Sequence, residues 1–141
     1  MTRINNVCVK ELSDQHLFTE YRELPRILSN VRKAVNNEKT PSDFKIPTKF
    51  TLGKGHMTFF YDKLQYLKDR HDLLIAECLR RGINISRTDG LDISEFDVCW
   101  KGNYEPTIED IGVLRSRLSE KFDKNPTFYK YEGEPMSNPY K

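Results

Sequence analysis

No stretch of this sequence stays apolar for anything near the ~20 residues of a membrane-spanning helix, which excludes a helical membrane protein. The opening Met-Thr-Arg-Ile-Asn-Asn is too polar for a secretory leader, so the cytoplasm is the expected compartment. Cysteine is scarce and odd in number. Cys8, Cys78 and Cys99 are far apart with no C-x-x-C pair, which reads as reduced thiols rather than a disulfide frame or a zinc site. His16, His56 and His71 are equally scattered, so no metal is expected. Gly53-Lys54-Gly55 lacks the spacing of a phosphate loop, no G-x-S-x-G elbow occurs, and Cys8 with His16 makes no recognisable nucleophile pair. Repeats and low-complexity tracts are absent.

What remains is a soluble chain of 141 residues, suited to one domain over residues 1–141, with 37% hydrophobic and 31% charged residues. The net charge of +2 hides an uneven distribution. From Thr88 to Asp110, seven acids and one base give −6, which leaves +8 for the rest. A chain basic outside one acidic segment can offer a face to a polyanion, although mixed solvated faces would give the same count.

The apolar spacing predicts an all-α class with three main helices and long irregular connections. The first is expected from about Asp14 to Asn37, capped by Ser13, with Leu17, Tyr21, Leu24, Leu28, Val31 and Val35 forming its stripe. Pro25 should kink it. Residues 38–56 hold Pro41, Pro47, Gly53 and Gly55 and read as a loop. The second helix is expected from about Thr58 to Arg81, buried through Leu64, Leu67, Leu74, Ile75, Cys78 and Leu79 and stopped by Gly82. The third begins after Thr107, with Ile111, Leu114, Leu118 and Phe122 as its stripe and Pro126 beyond its end. No alternating strand set is predicted.

The first 26 residues carry the candidate chemistry. Arg22, Glu23 and Arg26 share the polar side of the first helix, and the two arginines lie one turn apart. Taken alone, this group is a surface ion pair of little energetic value. Thr2, however, follows the initiator methionine and has a side chain small enough for that methionine to be removed. A free α-amine has a pKa of about 8, against about 10.4 for lysine, so roughly a tenth is neutral at pH 7. Neighbouring arginines raise that fraction. Such an amine is a nucleophile that needs no burial.

These residues resemble a known family. The run Met1-Thr-Arg-Ile-Asn, then Asp14-Gln-His-Leu and Glu20-Tyr-Arg-Glu-Leu-Pro-Arg26, is similar to the phage-type pyrimidine-dimer DNA glycosylases and abasic-site lyases, the endonuclease V type. The similarity continues through Asp43-Phe-Lys-Ile, Gly55-His, Thr58-Phe-Phe-Tyr-Asp-Lys-Leu64, Ile75-Ala-Glu-Cys-Leu79, Arg117, Glu120-Lys121 and Pro126-Thr-Phe-Tyr-Lys-Tyr131. The acidic segment and the last eight or so residues match least.

The resemblance implies a compact three-helix fold, an ordered N-terminal segment, a monomer, and double-stranded DNA bearing ultraviolet photoproducts as partner, in a host cytoplasm if phage-encoded. It implies catalysis by the Thr2 amine and Glu23 without metal or organic cofactor. Amine attack on the 5′ nucleotide of the dimer expels the base and leaves an imine, and a carboxylate then assists β-elimination. It places Arg3, Arg22, Arg26, Arg117 and Lys121 on phosphates, with Gln15 and His16 near the same surface. It assigns DNA contact to Phe128, Tyr129 and Lys130 in the tail, although these aromatics could equally pack on the core. Here Phe128 and Glu132 depart from the family's Trp-Tyr-Lys-Tyr-Tyr run. Two other readings stay open: a non-catalytic module for distorted DNA, and a glycosylase for other lesions such as ring-opened purines.

Overall fold

Ser13 starts the first helix as its composition suggests: its hydroxyl accepts the His16 N–H at 3.1 Å. In the computed structural model, which describes residues 2–140, α1 spans Asp14–Glu23 and α2 spans Pro25–Asn36. The expected single kinked helix is thus two helices meeting at Leu24. Proline at the first position of α2 has no N–H to give the Tyr21 carbonyl one turn back. Buried His71 fills that role, its Nε2–H donating to Tyr21 O at 3.1 Å while its ring stacks on Tyr21. Glu23 therefore ends one helix immediately before another begins.

A four-residue α3, His56–Phe59, precedes α4, Leu64–Arg80, so the second expected helix is also divided, with a turn at residues 60–63. Gly82 closes α4 with φ +74°, as a glycine beyond a helix end can. Leu79 does not belong to the buried side; it is 54% exposed, and Val35 lies at the edge of its stripe at 37%. α5, Ile108–Lys124, carries the capping box of Thr107 with Asp110 and buries Leu114, Leu118 and Phe122. Short 3-10 turns occupy Val9–Glu11, Pro41–Asp43 and Val98–Trp100. The acidic segment is irregular but anchored by buried Leu91, Ile93, Phe96 and Trp100.

One addition to the all-α expectation is a hairpin, β1 Lys130–Tyr131 with β2 Glu134–Pro135. Glu132 and Gly133 both have positive φ, the geometry of a two-residue hairpin turn. One hydrophobic cluster takes residues from Ile4 to Leu118, with α1 lying against α4. Among the described residues, no helix is long and apolar enough to cross a membrane.

Candidate active site

Residues 2–7 lack regular structure, yet all but Arg3 are buried. Irregular backbone survives burial only if its polar groups find partners. Here distant side chains supply them. The Ile4 N–H donates to His56 Nε2 at 2.9 Å, and the Asn5 N–H to Glu20 Oε1 at 3.1 Å. Val7 O accepts from Arg70 at 2.6 Å. Tyr66 donates to the Asn6 side-chain oxygen at 3.0 Å, and the Asn6 amide donates to Tyr104 at 3.3 Å. Arg70 also grips both oxygens of Glu20, at 2.7 and 3.0 Å, in a pair closed to solvent. Removing one member of such a pair typically costs ~3–5 kcal/mol, because the other charge is stranded. Glu20 thus converts the burial of α1 into a fixed course for the N-terminal segment.

That course brings Thr2, 1% exposed, to the end of α1, where its hydroxyl donates to Glu23 O at 3.4 Å. The Glu23 carboxylate lies 3.6 Å from Arg22 and 3.7 Å from Arg26. Both guanidinium groups are about three-fifths exposed. These contacts are long and the arginine ends are solvated, so they leave most of each arginine's donors free, although the Glu23 side chain is only 13% exposed. A cavity of about 230 Å³ opens beside Glu23, lined by Arg3, Asn5, Gln15, His16, Thr19, Glu20, Arg117, Phe128 and Tyr129. Arg117 is half-buried there, and among the described residues neither it nor Arg3 has a carboxylate within ion-pair distance. Burial and the nearby Arg3 charge together press the Arg117 pKa downward. Arg3 and Arg117 thus bring positive charge into a cavity that Glu20 and Glu23 also line. Lys121 follows Arg117 by one turn of α5, also half-buried.

His16 stacks on Tyr129 at 4.6 Å and shares a 2.8 Å hydrogen bond with Ser13. Burial, then Arg117, then Lys121 lower its pKa to about 4, so it is neutral at pH 7. Tyr129 is buried between His16 and Phe122, whereas Phe128 is 58% exposed at the cavity mouth and Lys130 is exposed. Gln15 spends its amide on the tail, donating to Phe128 O and accepting the Lys130 N–H, each at 3.0 Å. Asp14 accepts the N–H groups of Glu132 and Gly133. The Glu132 carboxylate pairs with Arg80 at 2.9 Å, which offsets the charge it adds to the tail.

Sequence reasoning missed His56, Glu20, Arg70 and Asn5 as parts of this site. Glu20, His56 and Arg70 stand in no motif with residues 2–7; only the fold joins them. Asn5 lines the cavity, and its side-chain oxygen is buried without a hydrogen-bond partner.

His56 gives the site an acid limit. Its Nε2 accepts a backbone N–H, and its Nδ1–H donates to Thr51 O at 2.8 Å, so the ring must be neutral. Burial is the main cause that lowers its pKa from 6.5 to about 4. The unfolded chain binds the proton more readily, so stability falls as the pH drops through this window. The loss expected from His56 is ~2 kcal/mol at pH 5 and ~3 kcal/mol at pH 4. His56→Gln, whose amide offers one acceptor and one donor, should flatten that part of the acid dependence in urea unfolding at pH 7, 5 and 4. An unchanged acid dependence would contradict the role of His56.

A family model described as pyrimidine dimer DNA glycosylase matches residues 1–90, which contain Thr2, Glu23 and the Glu20, His56 and Arg70 clamps on the N-terminal segment. Membership removes the non-catalytic reading and makes DNA with ultraviolet photoproducts the substrate class. The chain belongs to the pyrimidine dimer DNA glycosylase family, and it is a DNA-repair enzyme.

Proposed function

We propose that this enzyme, acting as a single-domain monomer, both cleaves the N-glycosidic bond of the 5′ pyrimidine in a cyclobutane dimer and nicks the strand. Removal of Met1 turns the residue-2 nitrogen from an amide into an amine. That nitrogen attacks C1′ of the 5′ nucleotide and loses a proton, the glycosidic bond breaks, and the departing base takes up a proton while staying joined to its 3′ neighbour through the cyclobutane ring. Ring opening yields a protonated imine between Thr2 and C1′. The imine withdraws electrons from C2′, whose proton passes to the Glu23 carboxylate, and the C3′–O bond breaks by β-elimination. Water then hydrolyses the imine and frees the amine. Glu23 also stabilises positive charge on the sugar while the base departs.

The phosphates are held by Arg3, Arg22, Arg26, Arg117 and Lys121. His16, Gln15 and Tyr129 support the tail, which offers Phe128 and Lys130 to the duplex. Phosphate contacts offset the cost of bending the damaged helix, which is least where stacking is already weak.

The observation that supports this reading is the placement of residue 2 against the last turn of α1. Its hydroxyl reaches the backbone carbonyl of Glu23, the residue whose carboxylate is flanked by two cations with free donors. Borohydride added during reaction with an irradiated duplex should reduce the imine to a stable protein–DNA adduct. Mass analysis should find the added sugar on residue 2. An adduct on any lysine, or none while strands are cut, would overturn the assignment. A parallel incubation with ring-opened-purine duplex shows whether other lesions are accepted.

A further inference from the structure

The connection from α2 to α3 carries a charge pattern that the proposed chemistry does not use. No acid occurs between Asp43 and Asp62, while Lys45, Lys49 and Lys54 fall in that interval. All three are exposed, and none has a carboxylate within ion-pair distance among the described residues. By contrast, Lys63 and Lys68 sit against Asp62 and Asp72.

The lysines alternate with apolar anchors. Phe44 packs edge-on against Tyr61 at 5.1 Å, and Phe50 against His56 and Phe59 at 5.5 and 5.9 Å. Leu52 packs against the core. Gly55, with φ +93°, lets the chain turn into α3, and a side chain there would crowd Pro47 at 3.1 Å. The loop is therefore already ordered, so contacts through it cost little further entropy.

Its tip is also tied to the catalytic cavity. Arg3, which lines that cavity, donates to Leu52 O, and His56 joins Thr51 to Ile4. An acid-free basic loop fixed at the edge of a site for a polyanion fits the phosphates of its flank.

We propose that Lys49 and Lys54, supported by Lys45, grip backbone phosphates of the duplex beside the lesion, a contact that operates equally on undamaged DNA. This rests on the reading that DNA lies over the cavity beside Glu23. The loop then supplies retention on DNA, whereas the cavity supplies recognition of damage.

The test is the binding of K49Q/K54Q to an undamaged duplex across a salt series. Each phosphate contact contributes about 0.9 to the slope of log affinity against log salt, so the slope should become shallower by about 2. Affinity for dimer-containing duplex should fall by the same factor, leaving the preference for damage unchanged. K68Q/R115Q lowers the charge equally but at residues already paired with acids, and it should leave the slope near that of the parent. An unchanged slope in K49Q/K54Q, an equal change in the control, or a lost preference for damage would each overturn the proposal. Undamaged duplex requires no chemistry, so these outcomes are independent of the borohydride adduct, whose absence in the parent protein would instead sink the Thr2 mechanism.

Discussion

Acetylation of the Thr2 amine is expected to abolish cleavage of dimer-containing duplex, a loss of about 10³-fold or more, the scale seen when a nucleophile acting with its partner is removed. An acetylated nitrogen shares its lone pair with a carbonyl and no longer attacks carbon. Little else changes, because Arg22 and Arg26 stay in place, so affinity for the duplex should persist. A glycine added ahead of Thr2 isolates a second requirement. That chain still ends in an amine, but one moved about 3.8 Å along the backbone. Displacement on this scale removes the near-attack arrangement that makes an intramolecular nucleophile effective. Both variants should therefore bind without cutting and give no borohydride adduct. Normal cleavage by the acetylated protein would remove the amine from the mechanism altogether.

The parts of this site that were legible in the sequence are those set by local rules. Helical spacing alone brings Arg22, Glu23 and Arg26 together, and the caps at Ser13 and Thr107 follow from residue type and position. Pro25 announced a disturbance, but its resolution lay with His71, which takes the Tyr21 carbonyl from fifty residues away. The course of residues 2–7 was illegible for the same reason. Its backbone is held by Glu20, His56 and Arg70, each solitary in sequence and defined only by packing. The resemblance located the Thr2–Glu23 pair without explaining how a terminus is kept still. It also brought Gln15 and Tyr129 forward as DNA contacts, without showing that Gln15 clasps the tail or that Tyr129 lies against His16. Amphipathic stripes show which helices form; they do not show that Leu79 faces water.

Glu23→Gln is expected to lower turnover by about 10²- to 10⁴-fold, the range associated with loss of a positioned acid–base group. The amide keeps the shape of the side chain but carries neither the negative charge nor a useful basicity. Its ion pairs with Arg22 and Arg26 are long, at 3.6 and 3.7 Å, and both arginine side chains are largely in solvent, so the loss of these pairs should cost little stability. Freed from the carboxylate, both guanidinium groups should grip phosphate at least as well as before. The variant is therefore expected to bind undamaged duplex with equal or higher affinity while failing to cut. Borohydride then divides the two tasks assigned to Glu23. If the carboxylate acts only on the C2′ proton, the variant still forms the imine and is trapped on an unbroken strand. If it also stabilises the sugar as the glycosidic bond breaks, no adduct forms and that bond stays intact. Cleavage at the parental rate would exclude Glu23 from both steps and require another base near C2′.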